Sequence, residues 1–147
     1  MKFKSGNNLL NRIISEKMRV MEFIKFAVVG TSGVFVNMGV LYLLTRHVSM
    51  NIEFASPIAI ETSILTNFLV NNYWTFRRRS TRVTFLGRIF RYHLVTGLAG
   101  IVNYLILILL VRAFHMHDLL ANLIGIAIGT VINFSLNSSW TWKKDKK

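Results

Sequence analysis

The sequence predicts an all-α integral membrane protein, with four transmembrane helices arranged as two tandem parallel-repeat hairpins behind an interfacial amphipathic helix. Of the 147 residues, 52% are hydrophobic and only 16% are charged, with a mean hydropathy of +0.44. An average soluble domain has about a quarter of its residues charged. A further observation predicts the duplication: one motif begins at Asn67 and returns at Asn133.

The repeated motif ends the second and the fourth predicted span. Its copies run Asn67-Phe-Leu-Val-Asn-Asn-Tyr-Trp-Thr-Phe-Arg77 and Asn133-Phe-Ser-Leu-Asn-Ser-Ser-Trp-Thr-Trp-Lys143. We call two positions equivalent when they match in this alignment of the two halves. Each copy places asparagines before an aromatic cluster and then basic residues, an order typical of the cytoplasmic end of a membrane helix. We therefore expect an interfacial belt formed by Trp74, Trp140 and Trp142.

The elements follow in order along the chain. Residues 1–25 are basic, and their apolar side chains recur at three- and four-residue steps, which predicts an amphipathic helix lying in the membrane interface. A disordered tail is the alternative for residues 1–8. The first repeat, residues 26–76, holds spans at about 26–45 and 53–76, each near the roughly 20 residues that cross the hydrocarbon. A basic linker, residues 77–91, then lies along the interface.

The second repeat, residues 92–142, holds spans at about 92–111 and 119–142, and residues 143–147 form a basic tail. We expect Asp118 to cap the fourth span. Small residues and one asparagine recur on a face of the first and third spans, where they allow close helix approach. These residues are Gly30, Gly33 and Asn37, echoed by Gly97, Gly100 and Asn103.

The distribution of basic residues predicts the orientation. Lys and Arg number six before the first span, six between the second and third and four after the fourth, against Arg46 and Arg112 in the two other loops. The positive-inside rule places both termini and the middle loop in the cytoplasm, and we expect a multi-pass protein of the inner (plasma) membrane. This bias accounts for the net charge of +12, so we expect no nucleic-acid binding.

Several kinds of chemistry are excluded or disfavoured. The absence of cysteine removes disulfides, thiolate metal sites and thiol catalysis. We find no nucleophile and base pair, phosphate loop or paired carboxylates, so we expect no enzyme, no cofactor and no metal. A metal site at His115, His117 and Asp118 is conceivable, but solvated loop residues are the better interpretation.

Glu61 is an acid within the second predicted span, and intramembrane carboxylates are functional candidates by default. It would accept hydrogen bonds from a sugar, bind a cation or exchange a proton. The alternative is a structural tie to Arg46, Arg112 or Thr31. The equivalent position in the second repeat is Ala127, so the repeat itself does not require an acid.

Two polar stripes occupy matching faces of the second and fourth spans: Ser63, Asn67, Asn71 and Trp74, and Gly129, Asn133, Asn137 and Trp140. Amides donate and accept hydrogen bonds, which suits sugar hydroxyls. Two roles stay open for these asparagines: lining a polar groove together with Asn37 and Asn103, or joining the repeats.

Basic residues lie where the spans begin or end. Lys25, Arg77 and Arg91 are candidates for binding a lipid phosphate through charge-assisted hydrogen bonds. As anchors of the topology they would need no ligand.

The Phe26-Ala-Val-Val-Gly30 opening, the intramembrane asparagines and the Asn-x3-Asn-x2-Trp-Thr-Phe/Trp ending resemble the GtrA-like family over residues 23–144. The resemblance implies translocation of a polyprenyl-phosphate-linked monosaccharide from the cytoplasmic to the outer leaflet, for cell-surface polysaccharide glycosylation. It places on the family pattern Asn67, Asn71, Trp74, Asn133 and Asn137, together with the basic residues that follow each half. The role of Glu61 rests on the physical argument alone.

Two other functions stay open at this point. One is a non-transporting scaffold for a polyprenyl-phosphate glycosyltransferase, and the other is a small proton-coupled multidrug exporter that uses Glu61. The expected partners are the lipid-linked sugar, membrane lipids and glycosyltransferases on either side. A homodimer is a further candidate assembly, because so small a bundle has little room to enclose a large head group.

Overall fold

The computed structural model describes residues 3–144, with side chains from residue 13 onward. The predictions for residues 1–2 and 145–147 fall outside this range. Within residues 3–144, four α-helices follow one another: α1 (Phe3–Arg46), α2 (Ile52–Val70), α3 (Phe85–Phe114) and α4 (Asp118–Leu136). Helices α2 and α4 continue into short π-helical segments, Asn71–Thr75 and Asn137–Thr141. The predicted all-α class is confirmed.

Three of the described segments are long and apolar enough to cross a membrane: Ile13–Arg46, Phe85–Phe114 and Asp118–Thr141. The chain is therefore a multi-pass membrane protein. Helix α2 is not one of these three described segments; its 19 residues include Glu53, Pro57 and Glu61.

Helix α1 continues without a break through residue 25, where the sequence predicted that an interfacial helix would give way to the first span. Its 44 residues extend about 65 Å, roughly twice the thickness of the hydrocarbon. Between Asn7 and Val29 the chain has no Gly or Pro, so the local sequence contains no helix breaker. The amphipathic segment is therefore part of the same helix as the first predicted span.

Helix α3 also begins earlier than predicted. Thr84 is its N-cap, and the Thr84 hydroxyl accepts a hydrogen bond from the Gly87 amide at 3.1 Å. The second half of the predicted interfacial linker therefore forms the first turns of α3. Helix α4 begins at Asp118, but its N-cap is His117, one residue before the predicted cap.

The two π-helical segments occupy equivalent positions of the two repeats and share one hydrogen-bond pattern. The Phe76 amide bonds to the Asn71 carbonyl at 2.8 Å, and the Trp142 amide bonds to the Asn137 carbonyl at 2.9 Å. One additional residue in a turn rotates the following side chains by about 100° relative to an α-helix. As a result, Phe76 and Trp142 point into the bundle.

An aromatic core lies beside these π-helical segments. It consists of Phe26, Phe68, Phe76, Tyr92 and Trp142, with Phe134 packed against it. The ring contacts occur in matching sets formed by equivalent positions. The Phe26–Phe76 centroid distance of 6.1 Å matches 5.8 Å for Tyr92–Trp142. The Phe68–Trp142 distance of 5.8 Å matches 6.2 Å for Phe134–Phe76. The Phe68–Tyr92 distance of 5.6 Å matches 5.7 Å for Phe134–Phe26.

The bundle has two unlike ends. The basic end contains the aromatic core, the two π-helical segments and the arginine-rich connection 77–84, whereas the turn end contains the short connections 47–51 and 115–117. Helix α1 packs mainly against α2, and α3 packs mainly against α4, which makes two hairpins. Hydrogen bonds, ion pairs and ring contacts between the hairpins involve residues 23–26, 61–79, 85–93 and 134–142 of the described chain. These directional contacts therefore lie toward the basic end.

Candidate functional site

A positively charged pocket lies at the basic end, between α1 and the residues that follow α2. The Lys25 ammonium lies 5.1 Å from the ring centroid of Trp74. The pocket has a volume of about 330 Å³ and is lined by Met18, Met21, Glu22, Lys25, Trp74, Thr75, Arg77, Arg78 and Lys144. Four cations and one carboxylate thus surround it, beside the apolar methionines. We call it the Lys25 pocket, and its chemistry suits an anion attached to an apolar chain.

The carboxylate of this pocket is engaged by a buried arginine. Arg79 donates from Nε to Glu22 Oε1 at 3.1 Å and from Nη2 to Glu22 Oε2 at 2.5 Å. The remaining nitrogen, Nη1, donates to the carbonyls of Ser138 and Trp142. The side chains of Arg79 and Glu22 are only 7% and 14% exposed. Arg79, which does not line the pocket, therefore neutralises Glu22 and ties α1 to the second π-helical segment, so the four cations of the pocket keep their net positive charge.

Sequence reasoning grouped Arg79 with the basic residues of the linker and missed this role. Its partners lie 57 to 63 residues away, and no periodic pattern connects positions so distant. A possible signal was Glu22 itself, a rare acid in a basic segment.

Arg91, expected to act with Lys25 and Arg77, lies at a different place. Its guanidinium carbon lies 5.0 Å from the Trp140 ring centroid, and its Nη1 donates to the Trp140 carbonyl at 2.9 Å. The adjoining cleft has a volume of about 280 Å³ and is apolar, with the lining Leu94, Val95, Leu98, Leu136 and Trp140. The pairs Lys25–Trp74 and Arg91–Trp140 occupy equivalent positions of the two repeats, but their surroundings differ.

The three predicted belt tryptophans occupy two kinds of position. Trp74 and Trp140 are 41% and 42% exposed, as an interfacial belt requires. Trp142 is fully buried, and its indole nitrogen donates to Asn72 Oδ1 at 3.1 Å. This position differs from the predicted belt because the π-helical segment rotates Trp142 into the core.

Two of the predicted groove asparagines pack on glycines instead. A Cβ atom on Gly33 would overlap the side-chain amide of Asn67, and a Cβ atom on Gly125 would overlap the side-chain amide of Asn103. Each amide therefore fills the space beside a glycine of the other helix in its own hairpin. This geometry supports a joining role for Asn67 and Asn103, although within the hairpins rather than between them.

The remaining asparagines of the stripes differ in how many of their side-chain hydrogen bonds are formed. Asn137 is fully buried, donates to Asn133 Oδ1 at 2.6 Å and accepts from the Thr141 hydroxyl at 2.7 Å. Asn71 is 1% exposed, its Nδ2 lies 3.5 Å from the Tyr92 hydroxyl, and its Oδ1 has no partner among the described residues. In the described chain we find no hydrogen bond from one stripe to the other.

Asn37 lines a small cleft formed by residues of α1 and α2. The cleft has a volume of about 260 Å³, and its lining is Gly30, Gly33, Val34, Asn37, Ile60, Ser63 and Ile64. The Ser63 hydroxyl donates to the Gly33 carbonyl at 2.7 Å, so Asn37 supplies the amide of this cleft. The cleft is therefore a polar position between the two helices of the first hairpin.

Glu61 pairs with a histidine of the other hairpin. Glu61 Oε1 lies 2.9 Å from His93 Nε2, and His93 Nδ1 lies 2.9 Å from the Ile89 carbonyl. The Glu61 and His93 side chains are 53% and 28% exposed. This partner is not among those expected from the sequence, which were Arg46, Arg112 and Thr31.

The described residues contain no group of three or more His, Cys, Asp or Glu side chains that could hold a metal ion. His117 Nδ1 and Asp118 Oδ1 are 3.0 Å apart, with side chains 72% and 74% exposed. Their exposure agrees with the interpretation of these two as solvated turn residues.

Comparison with known proteins identifies a family and a relative. The family described as GtrA/DPMS, transmembrane domain, matches residues 25–142. The dolichol-phosphate mannosyltransferase of Pyrococcus furiosus is 31% identical over 131 residues, which are 89% of this chain and 36% of that protein. The chain thus spans about a third of the length of this relative.

Proposed function

Because the chain belongs to the GtrA/DPMS transmembrane-domain family, we propose that it moves a polyprenyl-phosphate-linked monosaccharide from the cytoplasmic to the outer leaflet of the inner membrane. The product would serve cell-surface polysaccharide glycosylation. The observation that supports this function best is the Lys25 pocket, in which four cations lie beside an apolar wall. A prenyl phosphate combines the matching anion and apolar chain, and the name of the relative also joins dolichol phosphate with a sugar.

The proposed topology has four spans, with α2 crossing antiparallel to α1. Both termini and the connection 77–84 face the cytoplasm, because the basic residues concentrate there. The basic end then meets the cytoplasmic leaflet, where the lipid-linked sugar is made. The matching ring contacts and the paired π-helical segments support a pseudo-two-fold arrangement of two parallel hairpins.

In the proposed mechanism, the Lys25 pocket binds the lipid phosphate, and the prenyl chain stays in the bilayer. Moving a charged and hydroxylated head group through hydrocarbon is the main energetic cost, so polar side chains must accompany it. Asn37 and Glu61 are polar positions at depths beyond the pocket. The protein makes and breaks no covalent bond, and consumption of the sugar outside gives the direction.

A second candidate is a scaffold that holds a glycosyltransferase at the membrane. One observation favours it: the chain corresponds to 36% of a relative that is named as a mannosyltransferase. In this alternative the catalytic partner is a separate chain, and this protein supplies the membrane anchor and the lipid site.

The deciding experiment uses purified protein in liposomes that contain a polyprenyl-phosphate hexose. A membrane-impermeant reagent added outside reports the amount of sugar in the outer leaflet with time. We expect rapid exposure of the inner half of the sugar lipid, whereas protein-free liposomes expose only the outer half. Absence of flipping by folded protein, together with co-purification of a glycosyltransferase, would favour the scaffold.

A further inference from the structure

The two seams between the hairpins differ in polarity. One seam lies between α2 and α3, and the other lies between α4 and α1. The α2–α3 seam contains Glu61, Tyr92 and His93. The equivalent positions, on α4 and α1, are Ala127, Phe26 and Ala27. These three polar groups therefore have apolar counterparts, although the backbone elements of the two hairpins match, whereas Asn71 of the same seam has a polar counterpart, Asn137.

The polar groups of the α2–α3 seam form two hydrogen-bonded pairs at different depths. Near the basic end, the Asn71 amide lies 3.5 Å from the Tyr92 hydroxyl. His93 is the next residue of α3, and its Nε2 lies 2.9 Å from Glu61 Oε1. Glu61 precedes Asn71 on α2 by about 15 Å along the helix axis. The two pairs thus lie at successive depths between the region of the Lys25 pocket and the turn end.

One buried oxygen of this seam has unused hydrogen-bonding capacity. Asn71 is 1% exposed, and its Oδ1 has no partner among the described residues. The buried Thr96 hydroxyl lies near the Tyr92 side chain on α3. Buried polar atoms are nearly always bonded, so a hydroxyl of a bound ligand would complete the hydrogen bonding of Asn71 Oδ1. Other unpartnered buried oxygens of the described chain, those of Asn67 and Asn103, lie within the hairpins.

The Glu61–His93 pair is itself suited to carbohydrate. It is not enclosed, since 53% of the Glu61 side chain and 28% of the His93 side chain are exposed. Within a membrane, a partly exposed carboxylate needs a hydrogen-bonding or charged partner. A carboxylate accepts hydrogen bonds from neighbouring hydroxyls of a sugar, and the imidazole both donates and accepts.

We propose that the α2–α3 seam is the carbohydrate path of this protein, in which Glu61 and His93 bind hydroxyl groups of the hexose. The apolar α4–α1 seam does not take the head group. This inference rests on the proposed function and adds to it the seam and the residues that distinguish a sugar-bearing lipid from a bare prenyl phosphate.

The test measures binding of two probes to the purified full chain in detergent: a short-chain isoprenyl phosphate and the same compound carrying a hexose. The wild-type protein should bind the hexose probe about tenfold more tightly, as expected for hydrogen bonds to a charged group. The variants Glu61→Gln and His93→Gln should lose most of this difference and bind the bare phosphate with unchanged Kd.

A matched control alters the other seam. Ala127→Ser and Ala27→Ser should bind both probes as the wild type does. Thermal unfolding in detergent identifies any variant that is not folded. Glu61→Gln and His93→Gln each test the α2–α3 seam, so one of them still decides the question if the other does not fold.

The outcomes separate this inference from the proposed function. Equal affinity of the wild type for both probes would overturn the carbohydrate path and leave the phosphate site standing. Equal weakening of both probes in Glu61→Gln and His93→Gln would show a structural tie and would also overturn it. If the wild type bound neither probe, the proposed function would fall together with the inference.

Discussion

Phe76 and Trp142 stack ring on ring, with centroids 4.4 Å apart and planes inclined by 21°. They follow the two π-helical segments directly and occupy equivalent positions of the two repeats. In the proposed pseudo-two-fold arrangement, equivalent positions of the two hairpins meet at the axis, as these two rings do. The stack is therefore the natural centre of the contact between the hairpins, and its loss should affect the whole bundle.

We expect Trp142→Ala to destabilise the protein by about 3–5 kcal/mol, because it removes a fully buried indole and leaves a cavity. Trp140→Ala is the matched control, since Trp140 is 42% exposed and its removal should cost much less. Thermal or denaturant unfolding in detergent measures both. Similar losses for the two variants would contradict the buried position of Trp142.

We expect Arg79→Ala to destabilise the protein by about 3 kcal/mol, because it leaves Glu22 buried without its partner. Arg79→Lys should recover only part of the loss, since an ammonium cannot replace the planar guanidinium at all of its acceptors. Arg78→Ala, an exposed neighbour, is the control and should leave the unfolding transition nearly unchanged. Full rescue by lysine would argue against the hydrogen-bond network and leave only the charge.

We expect Gly33→Ala to destabilise the first hairpin by about 1–3 kcal/mol, because the new Cβ would overlap the Asn67 amide. Gly39→Ala should be neutral or slightly stabilising, since its Cβ would meet nothing within 4 Å. Adding Asn67→Ala to Gly33→Ala should restore much of the lost stability. A double-mutant cycle by unfolding in detergent measures this coupling, and additive effects would contradict the contact.

We expect Lys25→Gln to weaken binding of a bare isoprenyl phosphate about tenfold, because a charge-assisted hydrogen bond is lost from the Lys25 pocket. Arg91→Gln should have little effect on this site, since Arg91 lies beside a separate, apolar cleft. Titration of purified protein at two salt concentrations measures both variants. An equal effect of the two substitutions would mean that one site includes both residues.

The proposed topology predicts opposite labelling of two engineered cysteines. Because the chain has no native cysteine, Val48→Cys and Ser80→Cys each supply a single reactive thiol. In intact cells, a membrane-impermeant maleimide should label Val48→Cys in the turn end, while Ser80→Cys should react only after the membrane is opened. Labelling of both positions in sealed cells would rule out a crossing by α2.

The sequence was sufficient to predict the helical class, because long apolar runs and sparse charges leave little alternative in a bilayer. The ends of the helices were harder to predict from the sequence. The fusion of residues 3–25 with the first predicted span follows from the lack of a breaker, but amphipathic periodicity gives no sign of where a helix leaves the interface. The early start of α3 depends on the Thr84 cap, which looks like any loop threonine in the sequence.

The candidate site was predicted in part. Lys25 and Arg77 do line one pocket, whereas Arg91 lies elsewhere. The asparagine stripes were inferred on the assumption of regular α-helix, and the π-helical segments change the direction of the residues that follow them. Asn67 and Asn103 are directed by glycines on neighbouring helices, and Glu61 by His93, so only the three-dimensional packing determines their contacts.

The concentration of directional contacts at the basic end favours rotation of the two hairpins relative to each other about that end. Because the directional contacts between the hairpins lie near the basic end, a small rotation of one hairpin about the aromatic core produces a larger displacement at its turn end. From Phe134 to the start of α4 the arm is about 24 Å, so a rotation of about 10° at the aromatic core moves the far end by about 4 Å. Modest repacking around Phe76 and Trp142 would thus widen or narrow the space between the hairpins at the turn end by the width of a sugar ring.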